Sequence, residues 1–268
     1  MNKLFKFMWL CAIPLTVVGC DSVGSKKEVI IFAAASMTES LNAVKKTFES
    51  LNPSTELLIN YGSSGTLKDQ ILEGAKCDIF VSAGKKQMDA VAAEIIAESR
   101  KDVLENQVAL VTSRTTTYSI NSFTDLQNTL QGILDTTSYT GNFKIGLGGS
   151  SVPVGQYSTQ ILNTLLGDNA VDRLKAKGVV SEGANVKEVT TQVDQGLVDV
   201  ALIYKTDANS ANLVIKDLAT EELCSRSIYP FAMLTRRSNA NLTDLVYTYI
   251  CNSDRAKTAY QAVGFTVL

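Results

Sequence analysis

The chain has 268 residues, of which 45% are hydrophobic and 19% charged, and its formal net charge is −2. That balance suits a globular fold with a sizeable core and offers neither a basic face for nucleic acid nor a polybasic membrane patch. Histidine is absent altogether, which excludes Ser-His-Asp and Cys-His catalysis and removes the commonest zinc ligand.

Residues 1–19 read as a secretory signal, because Lys3 and Lys6 precede an apolar stretch, Phe7 to Val18, that is too short to span a bilayer. It runs into "VVGC", Val17 to Cys20, which resembles the lipobox of bacterial lipoproteins. Cys20 is then expected to be the lipidated first residue of an extracytoplasmic chain, with residues 20–27 as a polar tether. Three cysteines remain beyond the anchor. Cys77 reads as a small buried hydrophobe, and an oxidising compartment leaves a Cys224–Cys251 disulfide open.

Beyond the tether, strand-like runs alternate with helical periodicity, the pattern of an α/β protein with mainly parallel sheets flanked by helices. "EVIIFAA" from Glu28 predicts a first strand, followed by a helix with Leu41, Val44 and Phe48 on one face. "ELLINY" from Glu56 and "CDIFVSA" from Cys77 predict the next two. "NQVALVT" from Asn106 opens a second set that continues through "FKIGLG" from Phe143 and "VDVALIY" from Val198. "YPFAML" from Tyr229 leads into one closing helix from about Leu242 to Val263. The expected division is a first lobe of 28–106 plus 230–268 and a second of 107–229, joined by extended crossings near Asn106 and Tyr229.

Several strand-to-helix junctions share a composition of small, neutral residues. Ser36 follows the first strand, and Gly62, Ser63, Ser64 and Gly65 follow the second. Gly148 to Ser151 precede Pro153, which suits a first helical position, and Asn185 and Val186 open another helix. A helix start offers unpaired N–H groups and partial positive charge, and in open parallel sheets these junctions gather at one edge, so together they make an anion site. Neither glycine-serine cluster has the G-x-x-x-x-G-K-[ST] order, and no G-x-S-x-G elbow occurs, so nucleotide binding and an α/β-hydrolase site are not indicated.

In order and spacing, "FAAASM", "INYGSSGTLKDQI", "CDIFVSA", "VPVGQY", "ALIYKTDA" and the closing "VGFT" resemble periplasmic molybdate-binding proteins, the solute receptors of molybdate ABC importers. The resemblance covers the chain from about Val29 to Val267. It implies a two-lobed type II periplasmic-binding-protein fold with molybdate or tungstate held in the cleft between lobes. It also implies a monomer that delivers the anion to an ABC permease, is attached to the membrane through its lipid alone, and needs no cofactor. Carried over by motif, the oxyanion is held by Ser36 and Ser64 through hydroxyl and amide, by Val154 and Val186 through backbone amides, and by Tyr204 through its phenol. One departure precedes the "VP": many members carry an acidic residue or histidine there, and this chain has Gly149, Ser150 and Ser151.

Two alternatives stand beside that reading. A receptor for sulfate or another tetrahedral oxyanion would use the same fold with slightly different donor spacing. A serine-dependent extracytoplasmic hydrolase would pair Ser64 with Lys68 as base, although the four-residue spacing is not that of an S-x-x-K motif.

Overall fold

The structure, a computed structural model, describes residues 26–268. The expected signal segment and Cys20 lie outside the described residues, and of the expected tether Lys27 already belongs to the first strand. The chain opens with β1 (Lys27–Ala34), α1 (Thr38–Leu51), β2 (Thr55–Gly62), α2 (Ser64–Leu72), β3 (Ile79–Val81), α3 (Lys85–Ala90) and β4 (Lys101–Asn106). It then crosses at Gln107 into β5 (Val108–Thr112), α4 (Phe123–Asp135), β6 (Ile145–Gly148), α5 (Pro153–Leu166), α6 (Ala170–Ala176), β7 (Val180–Gly183), α7 (Val186–Asp194), β8 (Val200–Tyr204), α8 (Lys205–Ser210) and β9 (Ile215–Leu218). It returns through β10 (Ser227–Met233), α9 (Ala240–Asn252), α10 (Asp254–Val263) and β11 (Thr266–Val267).

Two separate sheets result, one ordered β11-β4-β10-β3-β1-β2 and the other β7-β6-β8-β5-β9. They are mixed rather than mostly parallel. β1 is parallel to β2 and β3, and β6 to β7 and β8, whereas β4, β5, β9, β10 and β11 run antiparallel to their neighbours. Apart from β11 at the chain's end, the antiparallel strands lie at the two crossings, where the chain passes from β4 almost directly into β5 and from β9 back along β10 with no crossover helix to bring the next strand parallel.

The parallel ladders place the junctions. β1 and β2 are in register to their last residues, with Ala34 opposite Gly62, so the turns that carry Ser36 and Ser64 abut. β6 and β7 end together as well, with Gly148 opposite Gly183, which sets the starts of α5 and α7 side by side. β8 lies against β6 and carries Tyr204 beyond their last paired residues. β1, β6 and β8 are buried where they approach the cavity and read as apolar runs for that reason, whereas β2 and β7 are partly exposed.

The single closing helix expected from Leu242 to Val263 is two. Ser253 takes an extended backbone (ψ 140°), its carbonyl leaves the α9 ladder, and its Oγ accepts from the Ala256 N–H at 3.1 Å to cap α10. The disulfide left open between Cys224 and Cys251 does not form. Both are buried free thiols, like Cys77, and burial pushes their pKa values to about 11 and that of Cys77 to about 12, so all three pack as inert hydrophobes. An edge-to-face aromatic stack, Tyr157–Tyr204–Tyr229–Phe265–Tyr260, crosses the core with centroid spacings of 6.4, 5.9, 5.0 and 6.5 Å. Among the described residues no helix is long and apolar enough to cross a membrane.

Candidate functional site

Between the two sheets lies a cavity lined by Ala34 to Ser36, Gly62 to Ser64, Ala83, Val152 to Val154, Asn185, Val186 and Tyr204. All five residues expected to contact the anion are among them. The lining contains no Asp, Glu, Lys or Arg.

Each contributing turn is shaped to face donors inward. Ser36 sits in a single 3-10 turn, Ala35–Met37, between β1 and α1, and its Oγ lies 2.8 Å from Tyr229 Oη. Ser64 is the first residue of α2. Its Oγ accepts the Ala83 N–H at 2.9 Å, so the hydroxyl hydrogen is left to donate. Ser63 caps the same helix by accepting from the Gly65 N–H at 3.3 Å.

On the other side, Pro153 starts α5 and Val154 follows it. A side chain at Gly155 would collide with the Gly148 and Gly149 carbonyls. Only glycine therefore lets α5 begin this close to the end of β6 and aim its first N–H groups at the cavity. Asn185 caps α7 by accepting from the Glu188 N–H at 3.1 Å, which puts Val186 in the first turn. Neither α2 nor α5 has an acidic side chain in its first turn, so the partial positive charge of these helix starts is not neutralised. Tyr204 is fully buried, and its pKa is raised well above the ordinary value by burial first and the neighbouring phenols next. The phenol therefore keeps its proton, and Ser227 Oγ stands 3.4 Å away.

Gly149, Ser150 and Ser151 also have a structural role. The Ser151 carbonyl rests so closely on Gly65 that a Cβ there would overlap it, so the loop before α5 touches the start of α2 across the gap between the sheets. A second tie spans the same gap. Lys187 Nζ, at the start of α7, is 2.7 Å from Glu39 Oε2 on α1 and 2.9 Å from Asp207 Oδ1 on α8. Asp207 is itself fully buried, with Lys187 as its ion-pair partner. Burial accordingly raises the Asp207 pKa to about 6 despite the attraction of Lys187.

Sequence reasoning missed the residues behind the cavity: Tyr229, Asn106, Thr206 and Ser227, all buried and polar. None forms a local motif. The hydrolase pairing finds no support in the geometry, because Lys68 Nζ is held by Asp69 at 2.7 Å and lines a different cleft from Ser64.

Two sheets flanked by helices, facing each other over a cavity without charged side chains at the ends of their parallel strands, define a two-lobed solute receptor. The chain belongs to the family of bacterial extracellular solute-binding proteins, whose pattern matches residues 29–266. It is 30% identical over 262 residues to a putative ABC transporter substrate-binding lipoprotein, YvgL, of Bacillus subtilis, covering 94% of each chain. It is also 30% identical over 272 residues to the molybdate-binding protein ModA of Haemophilus influenzae, covering 99% of each. Among solved structures, the periplasmic molybdate-binding protein of Azotobacter vinelandii superposes with a TM-score of 0.74 at 17% identity, over 90% of this chain and 99% of that one, a likeness of fold.

Proposed function

We propose that this chain captures molybdate, and tungstate with it, outside the cytoplasm and delivers it to the permease of an ABC importer, without a cofactor and as a monomer anchored through Cys20. The observation that carries the reading is the convergence of Ser36, Ser64, Val154, Val186 and Tyr204 on one cavity whose lining bears no charged side chain. Each hydrogen bond to a charged oxyanion contributes roughly 1.5 to 3 kcal/mol, so five to seven preorganised donors offset the desolvation of a dianion without a cation in contact. Similarity to molybdate-binding relatives along nearly the full chain supports the choice of ion.

Donor-only contacts also discriminate. Monohydrogen phosphate carries a proton that needs an acceptor, and an unpaired buried group costs about 1 to 3 kcal/mol. Sulfate presents the same surface on a smaller ion, so the cage must reject it by size. In this reading the lobes, 28–106 plus 230–268 and 107–229, close over the anion by bending at the crossings near Asn106 and Tyr229, and the closed form is what the permease recognises. Calorimetric titration of the purified chain with molybdate, tungstate, sulfate and phosphate tests this. Saturation by molybdate and tungstate is expected, and saturation by sulfate with no response to molybdate would overturn the choice of ligand.

A further inference from the structure

A run of hydrogen bonds with one direction leads from the crossing between the sheets to the rim of the cavity. Asn106 Oδ1 accepts the backbone N–H of Gln107 at 2.9 Å, which fixes the amide so that Nδ2 faces the core. That Nδ2 donates to Thr206 Oγ1 at 2.9 Å and to Tyr229 Oη at 3.3 Å. An amide NH2 has no lone pair to offer, so Tyr229 Oη must be the acceptor, and its single proton remains for Ser36 Oγ, 2.8 Å away. Complete burial raises the Tyr229 pKa far above its ordinary value, which keeps that proton on the phenol. Ser36 Oγ has no other hydrogen-bond partner among the described residues. With Tyr229 donating to it, its own hydrogen can be used only toward the cavity that it lines and that Tyr229 does not.

We propose that Asn106 and Tyr229 are positioning residues that set the polarity of this relay, so that Ser36 meets the bound oxyanion as an obligate donor. The proposal rests on the oxyanion reading above and adds the residues that enforce its selectivity. Ser36 Oγ has a second lone pair beside the one that Tyr229 occupies, but taking a hydrogen bond from hydrogen phosphate on it would crowd two hydrogens, its own and the phosphate's, onto the cavity side. Its own hydrogen could turn away only toward Tyr229, whose proton would then have to leave for Asn106, which cannot take it. The relay thus extends the rejection of protonated anions from the cavity wall to Asn106, at the end of β4 where the chain crosses between sheets.

Two substitutions test it, with far-UV circular dichroism and thermal midpoints recorded for each. Tyr229→Phe is expected to weaken molybdate binding about tenfold in the otherwise unaltered chain and to have no effect when Ser36→Ala is already present, as a relay acting through Ser36 requires. Asn106→Asp replaces the obligate donor with an acceptor of the same shape, which draws the Tyr229 proton away and turns Ser36 into an acceptor. Measured at pH 8, its preference for molybdate over hydrogen phosphate should shrink by about tenfold or more, an effect that the added negative charge cannot mimic because both anions are dianions. An equal loss for both anions in Asn106→Asp, or a Tyr229→Phe cost that persists without the Ser36 hydroxyl, would overturn the relay while leaving the oxyanion site standing. An unaltered chain that binds none of the tetrahedral oxyanions sinks the site reading and the relay together.

Discussion

The two halves of the cavity offer hydrogen-bond donors in different ways. On the side of the first sheet the donors include two serine hydroxyls, each held by a partner behind it: Ser64 by the Ala83 N–H and Ser36 by Tyr229. On the side of the second sheet Val154 and Val186 have apolar side chains, so only the backbone N–H groups of two helix starts can serve, with the Tyr204 phenol beside them. The first half is therefore vulnerable to single side-chain changes. The second, Tyr204 apart, is vulnerable only to changes that move its backbone.

The largest expected effect comes from pressing the two halves apart. Gly65→Ala places a methyl group against the Ser151 carbonyl, and overpacking of this kind costs about 1 to 3 kcal/mol, or roughly tenfold to a hundredfold in affinity. Because the clash exists only when the halves touch, the thermal midpoint without anion should barely change, and a large fall in that midpoint would show the contact to be part of the fold itself. Ser64→Ala should follow closely. It removes a donor worth about 1 to 3 kcal/mol of affinity in a molybdate titration, and the stranded Ala83 N–H should lower stability as well, on the order of 1 kcal/mol.

Asp207 probes the second half by pH. Its folded pKa of about 6 stands above the ordinary 3.8, so between those values the folded chain holds a proton that the unfolded chain has released. Stability from this group is full at low pH and is lost as the pH rises through about 6. Relative to Asp207→Asn, the unaltered chain should thus lose about 1 to 3 kcal/mol between roughly pH 4 and pH 7 in denaturant titrations. A flat difference would show that Lys187 fully compensates the carboxylate. Glu39→Gln cuts the tie between α1 and α7 without orphaning Asp207. It should weaken anion binding by only about 0.2 to 1 kcal/mol, and the effect should fade at high salt. Val186→Ala should be smallest, shifting affinity by less than about twofold because the donor belongs to the backbone; a larger loss would mean that the side chain itself shapes the cage.

Much of this arrangement was legible in the chain. The inner strands of the two sheets were readable because apolar runs covered on both faces leave an unbroken signal, as in "IIFAA" and "VALIY". β4, β7 and β9 were not, because "KDVLEN", "VSEG" and "IKDL" are short and half polar, and only their pairing in the sheet makes strands of them. The break at Ser253 was missed because helical periodicity continues across it, and only the local cap reveals two helices. At the site, the five lining residues could be named because each sits in a short motif of its own. Tyr229 could not, since its partner Ser36 lies 193 residues away and nothing near a tyrosine in a strand marks it as more than a core residue.

The aromatic stack that begins beside the cavity has a practical use. Tyr204 forms part of the cavity wall and of a line of rings that passes through Tyr229 to Phe265 and Tyr260, while the single tryptophan, Trp9, precedes the described residues. A phenol that takes up an anion changes its absorption and its coupling to the next ring. Near-ultraviolet circular dichroism should accordingly report occupancy of this receptor without any dye or added label.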